Sequence, residues 1–466
     1  MLETMAITIF SITFLILALR RLDWAVLVLI VALPIYIIRF QVFELPSTLL
    51  EIMILMVFLI WSFKFYIPEE QKFKSQKNDR QAYPFRNEIL ILMVFSMIAI
   101  STSNFSMAAL GIWRAYFVEP FLLYIVVINL FNHRLGIYKI IGALGVSAAI
   151  VAALAIFQEF SGLFISNPFW ANIETRRVVS FFGYPNAIGL YLAPIIMLLI
   201  GWFGKIKNEI GYKINFIKIG ILIIITASLL AIYFAHSEGA LVALLASGLI
   251  CLFLVGRRAK LAILSLILAV GIILAIFPTV TEAVIKKITL RDLSGEIRRQ
   301  QWLETITMLE DRWLTGAGLS NYQKAIAPFH QEGIFYNFDN RPNFDAVVWA
   351  SSSLQKRYWQ PVEIYLYPHN IILNFWSELG IGGLLVFIWL IIHQIYLSLK
   401  LFFGFDKKDG RRYLALGLSG AMFTIIIHGL VDVPYFKNDL AALFWIIIAL
   451  SGIMILENKN KLINKT

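Results

Sequence analysis

Continuous apolar runs of about 17 to 25 residues recur along almost the whole chain, separated by short polar stretches. About 20 apolar residues are what an α-helix needs to cross the hydrocarbon core of a bilayer. Of the 466 residues, 59% are hydrophobic and only 15% are charged, whereas an ordinary soluble domain has about 25% charged residues. The sequence therefore predicts an all-α polytopic integral membrane protein with about 12–13 transmembrane helices.

The same runs exclude other classes of protein. A transmembrane β-barrel would show alternating segments of about ten residues, and the runs here are continuous and longer. The single cysteine, Cys251, leaves no internal disulfide and no cysteine-based metal site. Nothing in the chain resembles a soluble catalytic domain or a nucleotide-binding P-loop. The function is therefore expected to lie in the membrane or at its surface.

Basic residues alternate between the connections of thirteen candidate spans. Seven segments hold 25 Lys and Arg residues, whereas the intervening short segments hold only five. Because Lys and Arg are retained on the cytoplasmic side, we predict that the richer set is cytoplasmic, the N-terminus outside and the C-terminus inside. The predicted spans cover residues 5–19, 22–38, 46–63, 88–104, 115–131, 140–158, 183–202, 219–235, 239–255, 261–277, 371–396, 413–431 and 438–456.

This pattern divides the chain into four regions. Residues 1–100 form N-terminal transmembrane helices, residues 101–277 a transmembrane core, residues 278–370 a large extracytoplasmic loop that contains helices, and residues 371–466 the C-terminal transmembrane helices. At roughly ninety residues, the loop is too long to be a mere connector. We expect any chemistry to take place at the outer face of the membrane or beyond it.

The large loop opens with a helical pattern around Arg298. Arg298 lies four residues before Trp302 and hence on the same helix face. Its guanidinium could point into a site, or it could reach phosphate headgroups from a helix that lies on the membrane surface. Spacing leaves both interpretations open. The apolar stripe on this face consists of Ile297, Trp302, Ile306 and Leu309.

Glycines and aromatic residues mark the rest of the loop. Gly316 and Gly318 suit a tight turn. Aromatic residues are dense between Phe329 and Tyr367. Aromatic rings can stack on sugar faces, but an interfacial belt gives the same composition. We interpret most of these rings as a belt.

The loop ends at His369, immediately before the next predicted span. A neutral imidazole at the water boundary could accept a proton from a sugar hydroxyl as a general base. Alternatively, His369 and Asn370 cap the helix and anchor it at the interface. Glu378 follows nine residues later within the apolar run.

Several charged residues lie within apolar runs or at their edges. Burying each of them costs at least about 2.5–3.5 kcal/mol on insertion scales, so we expect each to be paired or to line a hydrated cavity. Arg114 and Glu119, for example, could pair with one another or with other charges. The residues concerned are Glu51, Arg114, Glu119, Glu159, Glu238, Glu378 and Asp432.

The outer side also carries a set of arginines. Arg176 and Arg177 precede the span that begins near residue 183, and Arg298 and Arg299 lie in the loop helix. The planar guanidinium offers two parallel hydrogen bonds to a phosphate. A diphosphate on a lipid carrier is therefore the expected anionic ligand.

Five motifs in order along the chain resemble the O-antigen ligase and polymerase superfamily. They are Arg-Arg with Phe-Gly-Tyr-Pro-Asn-Ala-Ile-Gly within 176–189, Ser-Glu-Gly-Ala at 237–240, Arg-x-x-x-Trp at 298–302, Gly-x-Gly-Leu at 316–319, and His-Asn-x-x-Leu-x-x-x-x-Glu-Leu-Gly at 369–380. The resemblance covers roughly residues 100–455. The last motif is the most specific, and the first hundred residues contribute only hydrophobicity.

The resemblance implies a metal-independent, lipid-diphosphate-dependent glycosyltransferase without a cofactor. It implies that Arg298 holds the diphosphate leaving group and that His369 activates the acceptor hydroxyl or helps to bind the diphosphate. We accordingly predict His369 and Arg298 as catalytic residues. We predict as substrate-binding residues Arg176, Arg177, Asn186, Glu238, Arg299, Trp302, Asn370 and Glu378.

One motif departs from the family pattern. Many members carry Ser-Arg-Gly-Ala where this chain has Glu238, and the family's arginine is thought to contact the diphosphate. The charge is reversed here. Arg176 or Arg177 could supply the missing cation, or Glu238 could act as a base or orient Arg298.

The resemblance implies a bacterial inner-membrane protein of polysaccharide biosynthesis. We expect an undecaprenyl-diphosphate-linked glycan as donor, a glycan, lipid or protein as acceptor, membrane lipids as partners, and no nucleic acid. We interpret the chain as ligase-like, with lipopolysaccharide as one expected product. A polymerase of lipid-linked repeat units is the alternative. A transporter of lipid-linked sugars is a further alternative, although no inverted repeat is evident.

Overall fold

The computed structural model describes residues 2–42, 45–66, 83–206 and 212–463. Of these described residues, 76% are helical and none forms a closed sheet, so the predicted all-α polytopic class is confirmed. Some basic residues in the topological count lie outside the described residues, namely Lys72, Lys74, Lys77, Arg80, Lys207 and Lys465.

Helices α1 to α13 and the hairpin β1–β2 precede the main part of the large loop. The hairpin pairs β1 (Arg39–Val42) with β2 (Leu45–Thr48) in antiparallel register, Arg39 opposite Thr48. The helices are α1 Leu2–Arg20, α2 Leu22–Val31, α3 Leu49–Tyr66, α4 Arg86–Thr102, α5 Met107–Trp113, α6 Glu119–Leu130, α7 Arg134–Ser161, α8 Pro168–Ala171, α9 Asn186–Lys205, α10 Tyr212–Phe234, α11 Glu238–Val255, α12 Arg257–Ile276 and α13 Pro278–Ile288.

The remaining elements form the large loop and the C-terminal helices. In the loop, β3 (Gly333–Phe335) pairs antiparallel with β4 (Trp359–Pro361). Short 3₁₀ segments cover Leu33–Ile37 and Ala327–Phe329, and a π-helical turn covers Arg114–Val118. The remaining helices are α14 Leu293–Glu310, α15 Tyr322–Ile326, α16 Phe344–Trp349, α17 Ser352–Tyr358, α18 Ile371–Gly404, α19 Arg411–Gly429 and α20 Asn438–Ile463.

Each of the thirteen predicted spans falls on a helix. Among the described residues, eight helical stretches are long and apolar enough to cross a membrane. The other five predicted spans fall on α1, α2, α3, α4 and α19. The predicted span 22–38 is too long, because α2 ends at Val31 and a 3₁₀ segment containing Pro34 follows. Proline has no N–H to continue the helix and clashes with the preceding turn.

Burial separates central helices from peripheral ones. In the most apolar 18-residue stretch of α20, 94% of the residues are buried inside the protein, whereas only 6% are buried in the corresponding stretch of α12. Central helices approach closely where side chains are small, as where Gly201 of α9 meets Gly417 of α19. A Cβ on Gly201 would lie 2.8 Å from the Gly417 Cα. Small residues at such crossings allow the backbone contact that drives helix association in membranes.

The turn predicted at Gly316 and Gly318 is confirmed, since both adopt positive φ angles of 65° and 83°. This turn inserts between α4 and α18. The Ala317 N–H donates to the Ser377 carbonyl at 2.6 Å. Opposite the turn, α18 is broken at Gly380, which has φ 72° and ψ 177°. The loop is therefore built into the membrane helices and does not simply cover them.

The predicted pairing of Arg114 with Glu119 is also confirmed, within a larger ion cluster. The Arg114 guanidinium lies 2.6 Å from Glu51 Oε2 and 3.2 Å from Glu119 Oε1. Asn438 of α20 donates to the other Glu51 oxygen at 2.7 Å. Three separate segments therefore meet here, and the first hundred residues contribute a charged partner as well as hydrophobic surface.

Candidate active site

Helix α14 presents Arg298 and Gln301 on one face, because residues three apart on a helix are neighbours. Gln301 is buried, with 4% of its surface exposed. Arg298 is half-buried, and among the described residues its side chain forms no hydrogen bond and no ion pair. A partly desolvated guanidinium without an internal partner is suited to bind an external anion.

His369 lies directly before α18 and faces α14. Its Nδ1 is 3.1 Å from Gln301 Oε1. The amide oxygen only accepts, so Nδ1 donates and Nε2 keeps its lone pair. The ring packs edge-on against Tyr365 and Tyr367, with centroid distances of 5.0 and 5.1 Å. These contacts fix the orientation of the imidazole.

The surroundings of His369 favour the neutral imidazole. Burial lowers the pKa of His369 below its usual value, the negative charge of Asp432 raises it, and the positive charge of Arg298 lowers it. Desolvation is the largest of these effects. A neutral imidazole with a free Nε2 has the protonation state that a general base requires.

Arg298, Gln301 and His369 line one cavity of about 230 Å³. Pockets for drug-sized ligands measure about 300–1,000 Å³, so this cavity fits a fragment such as one phosphate or one sugar ring. It combines apolar walls with a cation and an imidazole. The lining residues are Leu293, Ser294, Ile297, Arg298, Gln301, Tyr365 and His369.

Trp302 and Asn370 hold the two sides of this cavity in place. The Trp302 indole donates to the Pro368 carbonyl at 2.9 Å and so ties α14 to the segment before α18. Asn370 caps α18, accepting from Ile372 N at 2.9 Å and Leu373 N at 3.1 Å. Of His369 and Asn370, which the sequence offered as possible caps of this helix, Asn370 is therefore the one that caps it. Substrate contacts of Trp302 and Asn370 stay predictions.

Arg177, Asn186 and Asp432 form a second polar group. Arg177 donates to Asn186 Oδ1 at 3.1 Å and to the Ala235 carbonyl at 3.1 Å. The Asn186 amide lies 3.4 Å from Asp432 Oδ2. Burial lowers the pKa of Arg177, Glu238 raises it and Arg298 lowers it. The charges of Glu238 and of the cavity residue Arg298 therefore both act on Arg177.

A row of aromatic side chains continues from His369. The Tyr367 hydroxyl lies 3.4 Å from that of Tyr184, and the Lys437 ammonium lies 3.8 Å from the centre of the Tyr184 ring. Burial raises the pKa of Tyr367 to about 12, and burial lowers that of Lys437 to about 8. Both tyrosines keep their protons and remain hydrogen-bond donors.

Three of the predicted substrate-binding residues have structural partners elsewhere. Arg176 donates to the carbonyls of Glu159 and Ala171 at 2.6 and 3.1 Å. Arg299 pairs with Glu296 one turn away at 3.1 Å. Glu378 is 4% exposed and accepts from the Ser320 N–H at 2.8 Å, which fastens the glycine turn.

Glu238 has an unexpected partner. Its carboxylate forms an ion pair with Lys287 of α13, and not with Arg298 as one of the sequence hypotheses suggested. Arg176 is held away by its two backbone carbonyls, whereas Arg177 is close enough for the Glu238 charge to act on it. Of the two candidate replacements for the missing cation, the geometry favours Arg177.

Sequence reasoning missed Gln301, Tyr365 and Lys287. Gln301 had a usable signal, since it follows Arg298 by three residues on a predicted helix. Tyr365 was one of the loop aromatic residues, most of which were interpreted as an interfacial belt. In the structure many loop rings pack on one another, as Phe335 does with Trp349 and Trp359 at 5.4 and 5.3 Å. Buried Tyr358 lies at the centre of another such group.

Fold and site together define an all-α polytopic membrane protein in which a large loop closes a cationic cavity over the ends of the helices. Residues 221–388 match the family model described as O-antigen ligase. The match runs from α10 through the whole large loop into α18 and includes Glu238, Arg298 and His369. This match supports a relationship to the O-antigen ligase and polymerase superfamily. A comparison with curated proteins finds no match.

The family supports glycan transfer of the ligase or polymerase type, with a lipid-linked glycan and an acceptor as general partners. The apolar helices agree with a multi-pass membrane protein. In the part of the chain that the structure describes, no group of three or more His, Cys, Asp or Glu side chains is arranged to hold a metal ion.

Proposed function

We propose that this protein transfers a glycan from an undecaprenyl-diphosphate carrier to an acceptor at the outer face of a bacterial cytoplasmic membrane. The observation that carries the proposal is that Arg298 and His369 line one cavity, and that the guanidinium has no hydrogen-bond or ion-pair partner among the described residues. The family match adds the reaction type.

In the proposed reaction, Arg298 and Arg177 bind the diphosphate of the donor. The bond between the anomeric carbon and the phosphate oxygen breaks, and its electron pair stays on the leaving diphosphate. Arginines that are already in position in a partly dry cavity stabilise this developing charge without reorganising. The donor therefore needs no metal ion to neutralise the leaving group.

His369 acts on the acceptor. Its neutral Nε2 takes the proton of the acceptor hydroxyl as the oxygen forms its bond to the anomeric carbon. Gln301 holds Nδ1 and thereby keeps the lone pair on Nε2. A base on the side of the anomeric carbon opposite to the leaving group predicts inversion at that centre.

We expect that His369→Ala or Arg298→Ala lowers transfer by about 10²-fold or more, because a general base contributes about 10²–10⁴-fold and a transition-state donor a similar factor. Folding should change little, because Arg298 forms no hydrogen bond or ion pair among the described residues, and the bond from Trp302 to the Pro368 carbonyl still ties α14 to the segment before α18 when His369 is replaced. The measurement is lipid-linked donor consumption by purified protein in detergent, followed by mass spectrometry. Normal turnover in both variants would contradict the assignment.

The same assay separates the alternative functions. Carrier release only when a second acceptor is added identifies a ligase, and longer lipid-linked glycan without an added acceptor identifies a polymerase. Absence of donor consumption across varied donors, together with movement of the lipid-linked sugar between leaflets of a vesicle, identifies a transporter.

A further inference from the structure

The ion pair between Glu238 and Lys287 joins two elements that are distant in sequence. Glu238 is the first residue of α11, and Lys287 lies in the last turn of α13. Both side chains are largely exposed, 64% and 58% respectively. Exposed ion pairs contribute little to stability because water and salt screen them, so this pair can separate at little cost.

Further cations surround this carboxylate. Arg177 is fastened to the carbonyls of Ala235 and His236, directly before α11. The charges of both Glu238 and Arg298 act on Arg177. Glu238 therefore contacts the cation Lys287, and its charge also acts on Arg177. The charge of Arg298, which lines the cavity, acts on Arg177 as well.

An apolar hollow adjoins the Lys287 ammonium. It measures about 350 Å³ and is lined by Thr279, Val280, Val284 and Lys287. Its helix, α13, continues from α12, of which only Ile263 is buried. A cation at the rim of an apolar surface is suited to a ligand with an anionic head and an apolar chain.

We propose that Glu238 is an internal substitute for the donor diphosphate, and that the bound diphosphate displaces it from Lys287. Lys287 then becomes a third phosphate-binding cation beside Arg177 and Arg298. A diphosphate carries more charge and more acceptor oxygens than a carboxylate, so it outcompetes Glu238 for the ammonium. This inference rests on the proposed function, and it assigns a residue that the sequence motifs do not contain.

The test is the affinity for undecaprenyl diphosphate itself in lipid nanodiscs, together with kcat and KM for a lipid-linked donor. We expect Glu238→Gln to tighten binding and lower KM about threefold to tenfold at low salt, with kcat nearly unchanged, because the internal competitor is gone. Lys287→Gln should weaken binding by a similar factor. When Lys287→Gln is already present, adding Glu238→Gln should not tighten the binding of undecaprenyl diphosphate.

Matched controls lie on the same helix. Glu282→Gln removes an exposed carboxylate of α13, and Lys286→Gln removes the neighbouring ammonium, which lies 5.6 Å from the Tyr336 ring. Both should leave affinity unchanged. If Glu282→Gln raised the affinity for undecaprenyl diphosphate as much as Glu238→Gln does, the effect would come from net charge alone. That result would overturn the proposal that the diphosphate displaces Glu238 from Lys287.

Weaker binding in Glu238→Gln, or unchanged binding in Lys287→Gln, would also overturn it. Those results are distinct from failure of the proposed function, in which the wild-type protein neither binds undecaprenyl diphosphate nor consumes any lipid-linked donor. Such a wild-type result would remove this inference as well. Three of the four single variants change exposed side chains and the fourth, at Lys286, a half-buried one; a size-exclusion profile like that of the wild type verifies folding.

Discussion

His369 couples two properties that a general base needs, a fixed tautomer and a neutral ring. Gln301 provides the first through Nδ1, and burial provides the second by lowering the pKa. Because the two effects have different origins, they can be separated by substitution. A change at Gln301 alters the hydrogen bond, whereas pH changes the protonation state.

The pH dependence follows from the direction of the shift. The pKa of His369 lies below its usual value of 6.5, so the ring stays neutral at pH 7 and gains its proton only in more acidic solution. We expect kcat/KM for the donor and acceptor to be flat around neutrality and to fall below pH 6.5. A profile that rises as the pH drops below 6.5 would contradict a neutral base.

The same shift makes a contribution to stability. The folded state binds the His369 proton less tightly than the unfolded state, so this contribution is fully present above pH 6.5 and is lost as the pH falls towards the folded pKa. Thermal unfolding of the purified protein at a series of pH values measures it. His369→Gln, which does not titrate, provides the reference.

Gln301 should act as a positioning residue. We expect Gln301→Leu to lower kcat by about tenfold or more, since the tautomer of the base is no longer fixed. Gln301→Glu restores an acceptor for Nδ1 and adds a negative charge, so activity should return in part with its acidic limb moved to higher pH. A merely structural role would leave the pH profile of both variants in place.

At the scale of elements, the break in α18 is where the large loop enters the helical core. Gly380 has a positive φ, and a Cβ there would collide with the Leu314 carbonyl. A backbone at φ 72° and ψ 177° lies in a region that is essentially restricted to glycine and costs another residue on the order of 1–3 kcal/mol, and the collision adds to this cost. We expect Gly380→Ala to lower the midpoint of thermal unfolding in detergent by several degrees and to lower transfer as well.

Gly271 in α12 offers the control. A Cβ at Gly271 would meet no atom within 4 Å, and its φ is not positive. Alanine is favoured over glycine inside a helix by roughly 0.5–1 kcal/mol, so Gly271→Ala should unfold at the same temperature or higher. Equal losses in both variants would mean that the break at Gly380 is not specifically stabilised by the loop.

At the scale of the whole molecule, the cluster of Glu51, Arg114 and Glu119 joins the N-terminal helices to the centre. Glu51 is 4% and Glu119 1% exposed. Removing one partner of a buried ion pair leaves an uncompensated charge and costs about 3–5 kcal/mol. We therefore expect Arg114→Ala to lower the yield and thermal stability of the protein strongly. Arg21→Ala, which breaks the exposed pair with Asp23, should change neither.

The sequence predicted the helices well and their contacts only in part. Long apolar runs identify spans directly, and Pro34 was the cue that should have shortened the second one. The contact of Glu51 with Asn438 joins residues 387 positions apart, so no local pattern indicates it. Lys287 was not recognised for the same reason, because its proposed role depends on its ion pair with Glu238, which is distant in sequence.

The sequence singled out Arg298 and His369 because motif and physical chemistry coincided there, and the structure places both at one cavity, whereas their catalytic roles stay predictions. His369 lies at the edge of an apolar segment, and Arg298 lies beside the apolar stripe of α14. Gln301, which completes the arrangement, is polar in a polar stretch of α14, and only the packing of α14 against the start of α18 distinguishes it.

The insertion of the glycine turn beside Gly380 has a consequence for biosynthesis. The chain is made from its N-terminus, so the large loop is synthesised before α18. Because the Ala317 N–H of the turn donates to the Ser377 carbonyl of α18, the loop can reach its final structure only after that helix has entered the membrane. A ribosome-bound chain that ends before residue 371 should therefore carry a protease-sensitive loop, and its resistance should appear late, when α18 emerges.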